Sequence, residues 1–397
     1  MAMDNNYFII NSGSTSKKYA LYAGELEIFY AHFEEDGDGH VVSFRVGEKE
    51  KDIKIDKSDF EEATKYSFDF LISEKIIESL EEIDSVGVRI VAPGSYFLSH
   101  KIVNEEYIAK LAEVHQEAPL HIEPVVKEVG LIKNILGRTP IIGISDSAFH
   151  NTESNVSRKY SIPKEDVEDF DIYRFGYHGI STKSILRKVE GLVGSIPEKT
   201  IVCHLGGGSS ITALKNGETV KTSMGFTPLE GMVMATRIGD IDAGAVLHLA
   251  RKKEMTLNDL EEYFNNKCGL LGLSGQTSDI RKLIELESSG NKDAKMALEA
   301  LVIRVKRYIG EYIAMMNGAD LLVFSATVGQ RSFILREKIC MDMDYLGIDL
   351  DKKLNDGLES GDNIISSDKS KIKIAVINTD ETMEIARQTR KFIEDKK

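Results

Sequence analysis

The chain has 397 residues, 42% hydrophobic and 29% charged, with a formal net charge of −14. These are globular proportions, and the length suggests two or three domains. The acidic balance argues against a nucleic-acid partner, which would select a basic surface. Three scattered cysteines, Cys203, Cys268 and Cys340, have no CxxC or His/Cys metal spacing and fit a reducing, cytoplasmic setting. The N-terminus lacks a signal-peptide pattern, and no apolar run reaches the roughly eighteen residues of a membrane span.

Tyr7–Ile10 reads as a strand, followed by Asn11-Ser12-Gly13-Ser14-Thr15-Ser16 and a second strand, Tyr19–Tyr22. Residues 25–57 are polar and patchy, consistent with short edge strands around a turn at Asp36–Gly39. Ser58–Glu82 reads as helix. Val86–Val91 is a strand carrying Arg89, a charge that needs a partner inside an apolar run, either in a structural ion pair or in a site. Asn104–Glu117 is helical, Ala118-Pro119-Leu120-His121 breaks it, and Ile122-Glu123-Pro124 restarts it. Pro140–Ser145 is a buried strand that ends at Asp146, a position suited to chemistry or to a helix cap.

Residues 151–172 are polar enough for a domain junction. An aromatic, Gly-punctuated stretch, Tyr173–Gly179, holds His178, and Ser181 is placed to cap the next helix. Ile201–Cys203 then begins a second strand–turn–strand unit through Gly206-Gly207-Gly208-Ser209-Ser210, ending at Asn216-Gly217, a tight-turn dipeptide. Glycines let backbone N–H groups approach an anion, so this hairpin is either an ordinary turn or a phosphate cradle. Its likeness to the first hairpin suggests a duplicated architecture. Asn258–Phe264 reads as a short helix, Gly269–Ser278 as a Gly-rich loop, and Asp279-Ile280-Arg281 as a helix start. Ala294–Asn317 is a long helix, and Leu321–Phe324 a strand. The loop Ser325–Gln330 leads to a helix near Arg331, Ile372–Ile377 is a late strand, and Thr382–Glu394 a final helix.

Three motifs carry a resemblance: Asn11–Ser16, Arg174-Phe175-Gly176-Tyr177-His178-Gly179, and Thr222–Gly231 with Thr236-Arg237-Ile238-Gly239-Asp240-Ile241-Asp242. In order and spacing, from about residue 7 to about residue 390, the chain resembles the acetate kinase (acetokinase) family. The resemblance implies an α/β fold of two ribonuclease-H-like, actin-like ATPase domains, mixed sheets flanked by helices, facing an interdomain cleft. Their bounds would be 1–150, completed by about 382–397, and 151–381, the second holding the nucleotide site and a homodimer interface. It implies reversible phosphoryl transfer between ATP and acetate, giving acetyl phosphate and ADP, with Mg²⁺ or Mn²⁺.

Residue by residue, the resemblance implies that Arg89 and Arg237 hold the acyl and phosphoryl groups, that His178 donates to the transferring phosphoryl, that His121 assists, and that Asp146 orients the arginines or the carboxylate nucleophile. Asn11 and Glu381 would hold the metal. Val91, Leu120, Tyr177 and Pro228 would form the acyl pocket, beside Arg89. Ser14, Ser16, Lys18 and the loop His204, Leu205, Gly206, Gly207, Gly208 would contact phosphates. Asp279, Ile280, Arg281, Thr327, Val328, Gly329, Gln330 and Arg331 would line the adenosine site.

The chain departs from the family pattern where Ile90–Gly94 follow Arg89, at His121-Ile122-Glu123-Pro124, at Gly207 in place of Asn, and at Thr327-Val328-Gly329-Gln330-Arg331, where the family pattern is Gly-Ile-Gly-Glu-Asn. Thr327 raises the expectation of a narrowed pocket and a different phosphoryl carrier, another nucleotide or pyrophosphate; propionate is an alternative acyl substrate. A reading of another class is a non-catalytic actin-like nucleotide-binding module.

Overall fold

Two units divide the chain in the computed structural model: one runs to Ala148 and resumes at Asp380, the other is Phe149–Thr379. The structure describes residues 5–13, 16–36, 39–358 and 361–396, without the side chains of Asp36 and Leu120.

In the first unit the strands are β1 (Asn6–Ser12), β2 (Ser16–Ala23), β3 (Leu26–Asp36), β4 (Gly39–Val46), β5 (Lys49–Ile55), β6 (Ile83–Ile90), β7 (Lys101–Ile102) and β8 (Ile141–Ser145). They form one sheet in the order β5-β4-β3-β2-β1-β6-β8-β7. The stretch 25–57 is therefore not a set of short edge strands. It is a meander whose β3 is eleven residues long and internal. Its polarity arises because much of the meander is solvated; β5, at the edge, exposes most of its residues.

Phe8, Ile10, Tyr19, Leu21, Phe33 and Phe44 form the core of this unit with residues of the helices Ala63–Ser73 and Pro119–Leu136. The helix expected over 58–82 stops at Ser73, before Lys75 at φ 56°. Pro119 does not break a helix but begins one: it sits in the first turn, where its missing N–H costs nothing, so His121 lies inside the helix. On β1 and β6 packs the final helix, Glu381–Glu394. Gly87 permits that approach, since a Cβ there would sit 2.1 Å from Thr389 Oγ1.

The second unit repeats the plan with β9 (Lys199–Leu205), β10 (Ser209–Lys215), β11 (Glu218–Thr222), β12 (Leu321–Ser325), β13 (Asn363–Ile364) and β14 (Lys373–Val376), in the order β11-β10-β9-β12-β14-β13. In both units an antiparallel hairpin is extended on its first strand by two parallel strands: β2-β1-β6-β8 and β10-β9-β12-β14. Asn216 and Gly217 both take positive φ and close β10 onto β11. The helix Gly179–Val193 is capped by His178, not Ser181. Helices also occupy Gly269–Ser274 and Ala326–Arg331, both expected as loops, and Ala243–Lys253, which buries no residue. Among the described residues no helix is long and apolar enough to cross a membrane.

Candidate active site

Strand ends bring four polar residues together in the first unit. Asn11 closes β1, Arg89 lies near the end of β6, Asp146 follows β8, and Glu381 opens the final helix. Arg89 Nη2 donates to Asp146 Oδ2 at 2.9 Å and Nη1 to Asn11 Oδ1 at 3.2 Å; Asn11 Nδ2 donates to Glu381 Oε2 at 2.8 Å. Burial alone would lower the Arg89 pKa, but Asp146 and Glu381 outweigh it and push it upward. The guanidinium is therefore a fixed cation. Its Nε–H is buried and has no hydrogen-bond partner among the described residues.

No cluster of three or more His, Cys, Asp or Glu side chains suited to a metal occurs among the described residues. The oxygens of Asn11 and Glu381 nonetheless fit Mg²⁺, which needs one or two protein oxygens when phosphates and water complete its shell.

In the second unit the site is built on the β9–β10 hairpin. A Cβ placed on Gly208 would lie 3.5 Å from both Arg237 Nη1 and His178 Nε2, so these two side chains converge over its backbone. His178 Nδ1 contacts Ser210 Oγ at 3.0 Å, and its ring stacks on His204 with centroids 4.0 Å apart. His204 Nδ1 is held by Ser181 Oγ at 2.7 Å. His178 sits at φ 63°, a conformation costly for a non-glycine residue and typical of functional positions. It is held there by Thr182, whose N and Oγ1 both donate to the His178 carbonyl at 2.9 Å. The preceding carbonyl, of Tyr177, contacts His150 Nε2 at 2.9 Å. The Arg237 segment is tied to the hairpin by Ala235 N donating to Gly207 O, and to the following helix by Leu270 N and Leu271 N.

Beside this pair lies a cavity of about 610 Å³. Its size falls within the range of small-ligand pockets. Leu205, Gly206, Gly207, Asp279, Ile280, Arg281, Thr327, Val328 and Arg331 line it. Gly329 and Gln330 are not among its lining: Gly329 packs toward Cys203 and Leu205, and Gln330 Nε2 donates to Ile377 O at 3.4 Å. His204 and Gly208 belong with His178 instead. Sequence reasoning missed Met234, Leu270, Ile284, Phe333 and Ile334, apolar lining residues that no motif marks. The cavity has this volume with Thr327 in its wall.

The remaining expected positions are dispersed. Ser16 and Lys18 lie on β2, where Ser16 Oγ contacts His32 Nε2 at 2.8 Å. Ser14 lies outside the described residues, as does the Leu120 side chain. Tyr177 is buried and donates to Phe226 O at 2.6 Å, beside buried Pro228 in the second unit; buried Val91 and half-buried His121 belong to the first.

A profile of the acetokinase family matches residues 6–387. An acetate kinase of Thermotoga maritima is 38% identical over 395 residues, covering 97% of this chain and 98% of its own. One from Bacteroides thetaiotaomicron is 37% identical, covering 96% and 98%. Among solved structures, acetate kinase of Porphyromonas gingivalis matches with TM-score 0.85 at 32% identity, over 98% of this chain and 100% of its own. A propionate kinase of Francisella tularensis matches with TM-score 0.86 at 29% identity, over 97% and 98%. Matches of this extent, on a duplicated fold, place the chain in the acetokinase family.

Proposed function

We propose that the chain catalyses reversible phosphoryl transfer between ATP and acetate, giving acetyl phosphate and ADP. The observation that carries this reading is the convergence of Arg237 and His178 over Gly208, in the same loop whose Gly206 and Gly207 wall the 610 Å³ cavity. A nucleotide base and ribose suit the cavity, and phosphates suit the glycine backbone that leads from it.

Phosphoryl transfer asks a protein mainly for positioning and charge neutralisation. Arg237 and His178 neutralise the equatorial oxygens as charge develops. Arg89, whose buried Nε–H has no hydrogen-bond partner among the described residues, would hold the acyl carboxylate. Asp146 holds Arg89 in place; a carboxylate nucleophile has no proton to lose at neutral pH, so no general base is needed. Mg²⁺, held by Asn11 and Glu381 through phosphate and water, would supply further neutralisation. His121 assists the acyl end, where Val91, Leu120, Tyr177 and Pro228 would enclose the methyl group. Ser14, Ser16 and Lys18 would contact phosphate from the first hairpin.

A second copy of the chain is the proposed partner. The helix Ala243–Lys253 buries none of its residues, and Ile241, Leu247 and Ile303 of the same unit are exposed apolar side chains. Light scattering that gives a monomer mass would remove this part of the proposal. The three free cysteines suit a cytoplasmic enzyme, and the net charge of −14 suits small-molecule rather than nucleic-acid partners.

The test of the activity is hydroxylamine trapping of acyl phosphate with ATP, Mg²⁺ and acetate. Ferric hydroxamate formation that depends on all three is expected. No product with acetate, propionate or any other short carboxylate would overturn the reading in favour of a binding module.

A further inference from the structure

The first hairpin has two faces. Lys17, Tyr19 and Leu21 point to one: Lys17 Nζ donates to Phe60 O at 2.9 Å, and Tyr19 and Leu21 are core residues. Ser16 and Lys18 point to the other, as alternation along a strand requires. On that face a single row of paired residues crosses four strands, Asn11 on β1, Lys18 on β2, His32 on β3 and Ser43 on β4. Residues directly opposite one another on adjacent antiparallel strands share a face and are close enough to interact. The row thus runs from the proposed metal and phosphate end of the sheet to an imidazole that no motif accounts for.

His32 is tied into the hairpin by one short contact, Nε2 to Ser16 Oγ at 2.8 Å, made diagonally because Ser16 pairs with Glu34. Ser16 begins β2, and its carbonyl accepts from Gly13 N at 2.8 Å. The charges facing His32 are Lys18 across the strand pair and Glu34 on its own strand, at 3.8 Å from Nε2. Ser43 faces it from β4, with Asp52 one strand further on β5. Asp380, before the final helix, acts on Tyr22 and Tyr30 of the same face. Burial first, then Lys18, lowers the His32 pKa, with Glu34 opposing them, so the ring is neutral near pH 7.

A hydroxyl has one proton to give and two lone pairs. A neutral Nε2 can take the Ser16 proton, leaving Ser16 only acceptor capacity toward a ligand. A protonated ring must donate at Nε2, which frees the Ser16 proton for an anion and sets a second cation beside Lys18. We propose that His32 is a positioning residue that sets the hydrogen-bond polarity of Ser16, so that the first hairpin binds phosphate more tightly when His32 carries a proton. The proposal rests on the reading of Ser16 and Lys18 as phosphate contacts.

The test is the KM for acetyl phosphate, in the direction that forms ATP, between about pH 5 and 8. Wild type is compared with His32→Gln, His32→Ala and Ser16→Ala, each checked for wild-type thermal unfolding. Glutamine presents its terminal amide where Nε2 stood but does not titrate. The ratio of the His32→Gln KM to the wild-type KM is expected to stay within about two-fold near pH 8 and to rise roughly three- to ten-fold toward pH 5, the range of one hydrogen bond gained. Substrate protonation is common to both proteins and cancels in that ratio. The His32→Ala ratio should rise toward pH 5 in the same way, because alanine does not titrate either, with little change in kcat. A ratio that stays flat with pH while Ser16→Ala raises KM overturns this role of His32 alone. A Ser16→Ala KM equal to wild type overturns the phosphate reading of the hairpin, and the proposal with it.

Discussion

Arg89 and Asp146 are joined by a 2.9 Å charge-assisted hydrogen bond, and Asp146 is 1% exposed. Neither group can lose the other cheaply, because an uncompensated buried charge costs about 3–5 kcal/mol. Asp146→Ala should therefore lower stability by about that amount, read from urea unfolding. Asp146→Asn keeps the shape and loses the charge that fixes the guanidinium; its kcat should fall by roughly 10²–10³ while the fold survives. An Asp146→Asn enzyme with wild-type kcat would deny Asp146 its orienting role.

His178 separates backbone strain from chemistry. Its φ of 63° is tolerated by Asn better than by Ala. His178→Asn should unfold at a denaturant concentration near wild type, and His178→Ala about 1 kcal/mol earlier. Both should lose roughly 10²–10³ in kcat, since neither presents Nε2 over Gly208. A large kcat loss confined to the alanine variant would show that the conformation, not the imidazole, matters.

Much of this site was legible in the sequence because it is carried by short segments of chain. Arg89, Asp146 and the two hairpins stand at the ends of apolar runs, and apolar runs announce strands. What stayed hidden depends on contacts between segments. His204 reads as a phosphate-loop residue, yet its ring lies on His178, twenty-six positions earlier in the numbering, and its Nδ1 on Ser181. The helix Ala326–Arg331 begins at φ 61° on an alanine, which nothing in the residue type foretells. The helix Ala243–Lys253 has no buried face and so no apolar period to read. The meander β3–β5 looked like irregular edges because its solvated residues interrupt the hydrophobic signal.

Two departures from the family pattern make different predictions about nucleotide affinity. A Cβ on Gly207 would meet nothing within 4 Å, so Gly207→Asn has room to restore a side-chain donor. One added hydrogen bond should lower the KM for ATP by roughly two- to ten-fold. Thr327→Gly removes bulk from a cavity that is already about 610 Å³ and should change the KM for ATP by less than roughly three-fold. Pyrophosphate is expected to give no turnover; faster initial rates with pyrophosphate than with ATP would reverse the assignment of the cavity.

The cysteines predict an alkaline limit to stability. Burial pushes the Cys340 thiol up to about 12 from an ordinary 9.0, the Arg336 and Lys306 charges only partly opposing it, and burial raises Cys203 as well. A thiol raised in the folded state contributes stability that is complete below its unfolded value and is lost as pH climbs through its folded one. The window is therefore from about pH 9 to about pH 12 for Cys340. Urea midpoints should decline across it, and Cys340→Ala should flatten that decline. In the native protein a thiol reagent should reach the half-buried Cys268 first, with Cys203 and Cys340 reacting at the rate of unfolding. Three thiols reacting at one rate below pH 8 would contradict the burial argument.

Arg336 makes the last prediction, because it is a buried cation held by neutral oxygens. It is 1% exposed; it donates to Gly329 O at 2.9 Å, Gln330 O at 2.6 Å, Asn355 Oδ1 at 2.8 Å and Asn355 O at 3.2 Å. Burial lowers its pKa to about 10 against the weaker pull of Cys340 and Asp356. Two of its acceptors are carbonyls at the C-terminal end of the helix Ala326–Arg331, where a cation complements the helix dipole. That helix supplies Thr327, Val328 and Arg331 to the cavity wall. Arg336→Met keeps most of the volume and leaves those carbonyls without a donor, at a cost of about 1–3 kcal/mol for each one left unsatisfied. The variant should unfold at lower urea and bind ATP more weakly, with the KM for ATP rising and the KM for acetate unchanged. Equal rises in both constants would mean that Arg336 supports the second unit generally and not the nucleotide wall.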